Sequence, residues 1–377
     1  MTHPYFTAAE FADRTSRVVT RLQQAGLAFA LFDETEAMTW LTGYGNSETR
    51  WRCVGIGPEA EPFFLIRSLD AAPCKERSWI TDVPIFRDWE DPMPTLVAAL
   101  AKRGLTRAVI GVDFGSYCMP PARLAALRAA LPDVAWVDIG PIVWELRWIK
   151  SPAEIALLRR AAEIADTALA AAAAVCVPGA VQRDAARMVM ETYFRMGGDA
   201  GPPGPITASK GWDHLHGHLG DEAIVTGDIV HIETTPRIHG YSARVMRGVS
   251  VGPAAERLQR TAEQLAALQR QQIAAMRPGV LAREVDAIVR DAVLGAGLRT
   301  EYDNVTGYTL GLYALSGPRT SDFTRSFTPA EAWVLEPGMV FHMYASAAGA
   351  AVSETVAVTE NGPEILTGRS PPLFVNA

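Results

Sequence analysis

"GDIVHIETTPRIHGYSARVMRGVSVG", residues 227–252, is the stretch on which the fold turns. Two β-rich runs, DIVHIET and ARVMRGVSV, flank a polar segment carrying Pro236 and Gly240, the pattern of two strands joined by a turn. Charged side chains stand inside both runs, Glu233 near the end of the first and Arg244 near the start of the second. A carboxylate on an apolar strand needs a partner or takes up a proton, and Arg244 across the turn is the obvious one. Such a pair either ties the hairpin together or holds an ionised carboxylate aimed into a pocket.

Outward from the hairpin, GMVFHMYAS (338–346) and ETVAVTE (354–360) supply further strands. Ser151-Pro152-Ala153-Glu154 is a capping box with proline at the first helical position, opening a helix that runs to about Cys176. Helical spacing also fits 180–196, 254–276 and 281–296, so this half is an α+β unit. The first half alternates instead: a helix over 7–26, then short β-rich runs at 28–32, 63–66 and 108–114, with helical stretches TLVAALAKRG and ARLAALRAAL between them. That layout predicts an α/β domain over 1–145, followed by a second domain over 146–377.

Composition narrows the function. The 377 residues carry a net charge of −7 with no basic run, which argues against a nucleic-acid partner. The longest apolar run, ALAAAAAVCVPG (168–179), is too short to span a bilayer. The N-terminal residues lack a signal-peptide pattern, and four scattered cysteines without CxxC spacing read as buried thiols, so a cytoplasmic location is expected.

Three of the seven histidines cluster in KGWDHLHGHLGDE as His214, His216 and His218. On an extended segment their alternate spacing places all three on one face. They could ligate a metal with Asp213, Asp221 or Glu233, supply a general base with neighbours for substrate contact, or sit in a solvated loop. TGYTLGLYALSG (306–317) reads as a glycine-punctuated loop bearing Tyr308 and Tyr313, while His342 and Tyr344 share a face of their strand. These aromatics either pack or line a small polar pocket. There is no GxSxG elbow, P-loop or GxGxxG, so nothing points to a serine hydrolase, a nucleotide or a dehydrogenase.

The order of these pieces, from MTWLTGY through LRWIKSPAEIALLRRAA, GDIVHIE, HGYSARVMR, TGYTLGL and LEPGMVF to SETVAVTENG, resembles the creatinase/prolidase superfamily, the pita-bread hydrolases. The resemblance implies a creatinase-type N-terminal domain and a pita-bread catalytic domain. Metal-dependent members place carboxylates and a histidine where this chain has Glu233, Arg244, Tyr308 and Tyr344; the last glutamate is read as surviving in Glu354. An arginine cannot act as a ligand. The resemblance therefore implies a site without metal or other cofactor, like those of creatinase and the ectoine hydrolases. His216 matches the position of creatinase's catalytic histidine. The tyrosine of TGYTLGL and the histidine of GMVFH look more like the ectoine hydrolases, whose strand also ends in glutamate. Met246 stands where creatinase has a substrate-gripping glutamate.

The implied activity is hydrolysis of a C–N bond in a small zwitterionic amidine, guanidine or amide, possibly cyclic. His216, Glu233 and Glu354 would be catalytic; Arg244, Tyr308, His342, Tyr344, His214 and His218 would bind substrate. The resemblance further implies a homodimer whose N-terminal domain reaches over the partner's pocket; Trp40, Tyr44, Arg50 and Trp51 either contribute there or, for the aromatics, pack in the core. The alternatives are a metal-dependent Xaa-Pro peptidase using the clustered histidines, and a catalytically inactive pita-bread binding module.

Overall fold

The computed structural model describes residues 5–45, 50–209, 215–314, 318–319 and 323–376. The chain divides into two compact units, one ending at Arg147 and the other beginning at Trp148, with Pro318 and Arg319 grouped with the first.

The N-terminal unit is built on a six-stranded sheet in the order Ile85–Phe86, Phe63–Arg67, Cys53–Ile56, Phe29–Phe32, Val109–Val112, Ala135–Asp138. Phe29–Phe32 runs antiparallel to Cys53–Ile56 and parallel to Val109–Val112. Phe29, Phe63, Leu100 and Ile110 belong to the buried cluster that closes it. Helix Ala8–Gln24 starts where Thr7 accepts a hydrogen bond from the Glu10 amide. MTWLTGY forms helix Thr35–Thr42, ended by Gly43 in the left-handed region at φ 86°.

Of the two roles open to the aromatics of that segment, Trp40 and Tyr44 take the interior one and do not reach a substrate pocket. Trp40 has no exposed surface; its carbonyl accepts from Arg14 at 2.8 Å and the guanidinium lies 5.2 Å from its ring. Tyr44 is buried against Phe64, and burial pushes its phenol up to about 12. Both are interior residues of this unit, and a side chain without exposed surface has none to offer a substrate. The cysteines, by contrast, are free thiols as expected, with Cys53, Cys74 and Cys176 buried. Among the described residues no helix is long and apolar enough to cross a membrane.

The C-terminal unit opens with the expected capping box: Ser151 Oγ accepts from the Glu154 amide and the Glu154 carboxylate from the Ser151 amide. Helices Pro152–Ala174, Gln182–Arg195, Glu256–Ala274 and Ala282–Gly295 follow. The eight-stranded sheet runs in the order Gly307–Thr309, Val340–Ala347, Ala350–Thr359, Val245–Val251, Ile229–Thr234, Ile206–Ser209, with Gly362–Ile365 and Leu373–Asn376 pairing off it. TGYTLGL is therefore partly a strand, not only a loop.

One face of this sheet is helix-covered. Thr234 donates to the Ala165 carbonyl of the long helix, and Gln269 donates to the carbonyls of Met343 and Val352. Met343, Val356 and Phe341 pack there with Ile273 and Met276. Because successive strand residues alternate faces, the neighbours of these anchors point the other way.

Candidate active site

Strand register decides which residues meet. Glu233 lies opposite Met246, Tyr344 opposite Ser353, His342 opposite Thr355 and Tyr308 opposite His342. Directly paired residues share a face, so the register gathers Glu233, Tyr308, His342, Tyr344, Ser353 and Thr355 on the face away from Gln269. Arg244 joins them: its amide donates to Thr355 Oγ1 at 2.8 Å and its Nη1 lies 3.6 Å from Glu233 Oε1.

The same Nη1 donates to the Tyr308 hydroxyl, which sits 3.0 Å from His342 Nδ1. Since arginine only donates, the Tyr308 oxygen accepts from it, and the direction of the Tyr308–His342 bond follows the imidazole tautomer. A neutral His342 accepts the Tyr308 proton at Nδ1 when its own proton sits on Nε2. Burial, helped by the Arg244 charge, holds its proton affinity well below the ordinary imidazole value. The His342 and Tyr344 rings stack at 5.4 Å, and the Tyr344 hydroxyl accepts from Asn304 at 3.2 Å. Burial pushes the Tyr344 phenol up, so it remains a proton donor.

Glu233 and Arg244 are both nearly enclosed, at 3% and 5% exposure. They present one negative and one positive charge, 3.6 Å apart, beside the neutral hydrogen-bonding side chains of Tyr308, His342, Tyr344, Ser353 and Thr355. That combination suits a small molecule carrying both charges better than a single ion.

Glu354 does not belong to this group. It lies opposite Met343, on the helix-covered face, where Arg247 Nη2 donates to one of its oxygens and Thr367 to the other. A step of one residue along a strand reverses the face, and Ser353 occupies the position on the Glu233 side. The resemblance, read one residue out of phase here, credited the site with a second carboxylate; the residue there is a serine.

The histidine cluster also departs from expectation. Leu215 and His216 form a turn rather than an extended segment, His216 and His218 are exposed, and His214 lies outside the described residues. Burial first, and then the charge of nearby His216, disfavours protonation of His231. Two residues went unnoticed in the sequence. His231, two positions before Glu233, is buried on the same face; the strand period alone could have flagged it. Phe323, exposed and left-handed at φ 62°, lies 4.8 Å from the Tyr308 ring; no local pattern announces that contact.

Among the described residues no three histidine, cysteine, aspartate or glutamate side chains converge as a metal-binding group. At the gathered positions Glu233 is the one carboxylate, beside a guanidinium, one imidazole, two phenols and two hydroxyls. That donor set does not fit a metal pair.

Comparison with known proteins places the whole chain. The model of the creatinase/prolidase N-terminal domain matches residues 14–149, and that of metallopeptidase family M24 matches 156–360. An ectoine hydrolase of Halomonas elongata is 27% identical, covering 98% of each chain. An uncharacterized peptidase of Bacillus subtilis is 30% identical over 68% of this chain and 72% of its own. Among solved structures, a dipeptidase PepE from Mycobacterium ulcerans is similar with a TM-score of 0.81 at 26% identity, covering 98% of this chain and 99% of its own. With a creatinase-type N-terminal domain ahead of a pita-bread catalytic domain, the chain belongs to the M24 family of hydrolases.

Proposed function

We propose that this family member is a metal-independent hydrolase of a C–N bond in a small zwitterionic amidine, guanidine or cyclic amide. The observation that carries the reading is the Arg244 guanidinium lying between Glu233 and Tyr308, where it supplies the positive charge that metal ions supply elsewhere in the family. The ectoine hydrolase likeness over nearly the full chain supports the substrate class.

In this reading Arg244 takes the substrate carboxylate through its forked donors. Glu233 faces the cationic amidine or guanidine, either holding it or attacking its carbon. Tyr308, Tyr344 and the Nε2–H of neutral His342 donate to the charge that develops when the carbon becomes tetrahedral. An imidazole moves the proton, His216 at the rim being the one the family resemblance implies. The assembly is a homodimer, which light scattering checks.

The deciding experiment is elemental analysis of the purified, untagged protein, followed by assay of ectoine, creatine and cyclic amides with and without chelator. Turnover that survives chelation, with well under one equivalent of transition metal, supports the proposal. Stoichiometric metal with chelator-sensitive cleavage of Xaa-Pro dipeptides overturns it. So does tight binding of a probe with no turnover at all.

A further inference from the structure

The site contains a second imidazole that neither the resemblance nor the catalytic scheme uses. His231 is 6% exposed, and among the described residues neither ring nitrogen has a hydrogen-bond partner. Buried polar groups are overwhelmingly satisfied, so an imidazole with both nitrogens open marks a place where something else binds or reacts. Its position narrows that role. It lies two residues before Glu233 on one strand, so the two side chains leave the same face about 6–7 Å apart. Such a gap admits one small molecule or water, not a direct hydrogen bond. Across the ladder on one side stands Gly248, which puts no side chain beside the ring; on the other stands Thr207. On the solvent side His216 comes near, from an exposed turn.

We propose that His231 is the buried proton acceptor of this site, carrying a proton from the attacking water to the leaving nitrogen. The inference rests on the hydrolase reading above and adds a catalytic residue to it. In the step it performs, an open ring nitrogen of His231 removes a proton from water while the water oxygen bonds to the amidine carbon. The tetrahedral adduct then expels nitrogen: the C–N bond breaks, and the proton held on His231 passes to the leaving nitrogen. Glu233 holds the cationic group during both halves, and the enzyme ends as it began. A base must be neutral before it can act. Burial first, then repulsion from His216, lowers the His231 proton affinity to about 3, which keeps it neutral at any physiological pH.

The test combines histidine-selective nitrogen NMR with steady-state kinetics on the full chain. In the wild type, His231 should stay neutral from pH 4 to 8, and its resonance should move when ectoine or acetamidine is added. His231→Gln and His231→Phe should each lower kcat at least 100-fold while KM changes less than threefold. A His231 that is charged at pH 6, or a folded variant with kcat within threefold of wild type, overturns the proposal. Should the variants fail to fold, the wild-type spectra decide: a resonance that none of the probes moves overturns it, and one that moves supports it. If the wild type turns over no amidine, guanidine or cyclic amide, the hydrolase reading falls. The NMR result then still decides whether His231 faces the ligand.

Discussion

Two arginines three residues apart, Arg244 and Arg247, each pair with a glutamate, and the two pairs lie on opposite faces of one sheet. Below the sheet, every nitrogen of the Arg247 guanidinium donates: to Glu354, to the carbonyls of Met246 and Ser353 and to that of Pro371. Glu354 gives its second oxygen to Thr367. Above it, Arg244 and Glu233 are 3.6 Å apart, too long for a hydrogen bond, and Tyr308 takes the Arg244 Nη1 donor. A pair with its bonds complete is a fastening, since any ligand would have to break them. Arg244 and Glu233 are not joined by a direct hydrogen bond at 3.6 Å, so the charges of a zwitterion can come between them without first breaking one. Identical residue types thus serve structure on one face and, in the proposed function, chemistry on the other.

The largest effect expected from breaking this contrast is chemical. Glu233→Gln should reduce turnover of the amidine probe by a factor on the order of 10³, the scale of losing one preorganised electrostatic group, with the melting temperature lowered by only a few degrees. A Glu233→Gln enzyme with near wild-type kcat would place the chemistry elsewhere. Glu354→Gln should do the opposite. Removing one partner of a buried pair costs about 3–5 kcal/mol, which for a unit of this size lowers the melting temperature by roughly 6–20 °C. The protein that remains folded should keep kcat within threefold of wild type, and a Glu354→Gln variant that is stable but inactive would return Glu354 to the site.

Tyr308→Phe comes next. It removes the hydroxyl that joins Arg244 to His342, and a hydrogen bond to a charged group is worth about 1.5–3 kcal/mol. A fall in kcat/KM of roughly 10- to 100-fold follows from that range. A change confined to KM would make Tyr308 a binding group without a part in the transition state.

The smallest effect is in the pH dependence of stability, and its sign differs between the two units. His342 is neutral in the fold, with a proton affinity held below the unfolded value near 6.5 by burial and by Arg244. Between those values the unfolded chain binds more protons, so this contribution is fully present above about pH 6.5 and is lost as pH falls. In the N-terminal unit, burial raises Glu34 to about 8, with Asp113 adding to the shift. The folded form then holds the extra proton, and that stability, present below about pH 4.5, is lost as pH rises through about 8. Urea midpoints measured across this range should fall less steeply below about pH 6.5 in His342→Phe, and lose the decline between about pH 4.5 and 8 in Glu34→Gln. Unchanged slopes would show that neither group titrates in folding.

Much of this was legible in the chain itself. Helix starts and hydrophobic periods are local: Ser151-Pro152-Ala153-Glu154 caps a helix because the residues that satisfy its first amides lie within three positions of each other. The hairpin and the alternation of the first half could likewise be read from order and spacing, whereas the gathering of Glu233, Arg244, Tyr308, His342 and Tyr344 was implied by the family resemblance. What local pattern could not fix was phase. Ser353 and Glu354 are adjacent letters, and whether the serine or the glutamate enters the site depends on pairing with Tyr344 and Met343, a register set by strands far apart in sequence. Trp40 and Tyr44 likewise look available until Arg14 and Phe64 close over them. His231 gains its meaning only once Gly248 lies beside it and His216 comes near. The sequence by itself determined the elements, the family and the kinds of side chain at hand. The tertiary structure decided which face each one points to, because a strand reverses its side chains at every residue and only cross-strand pairing sets the count.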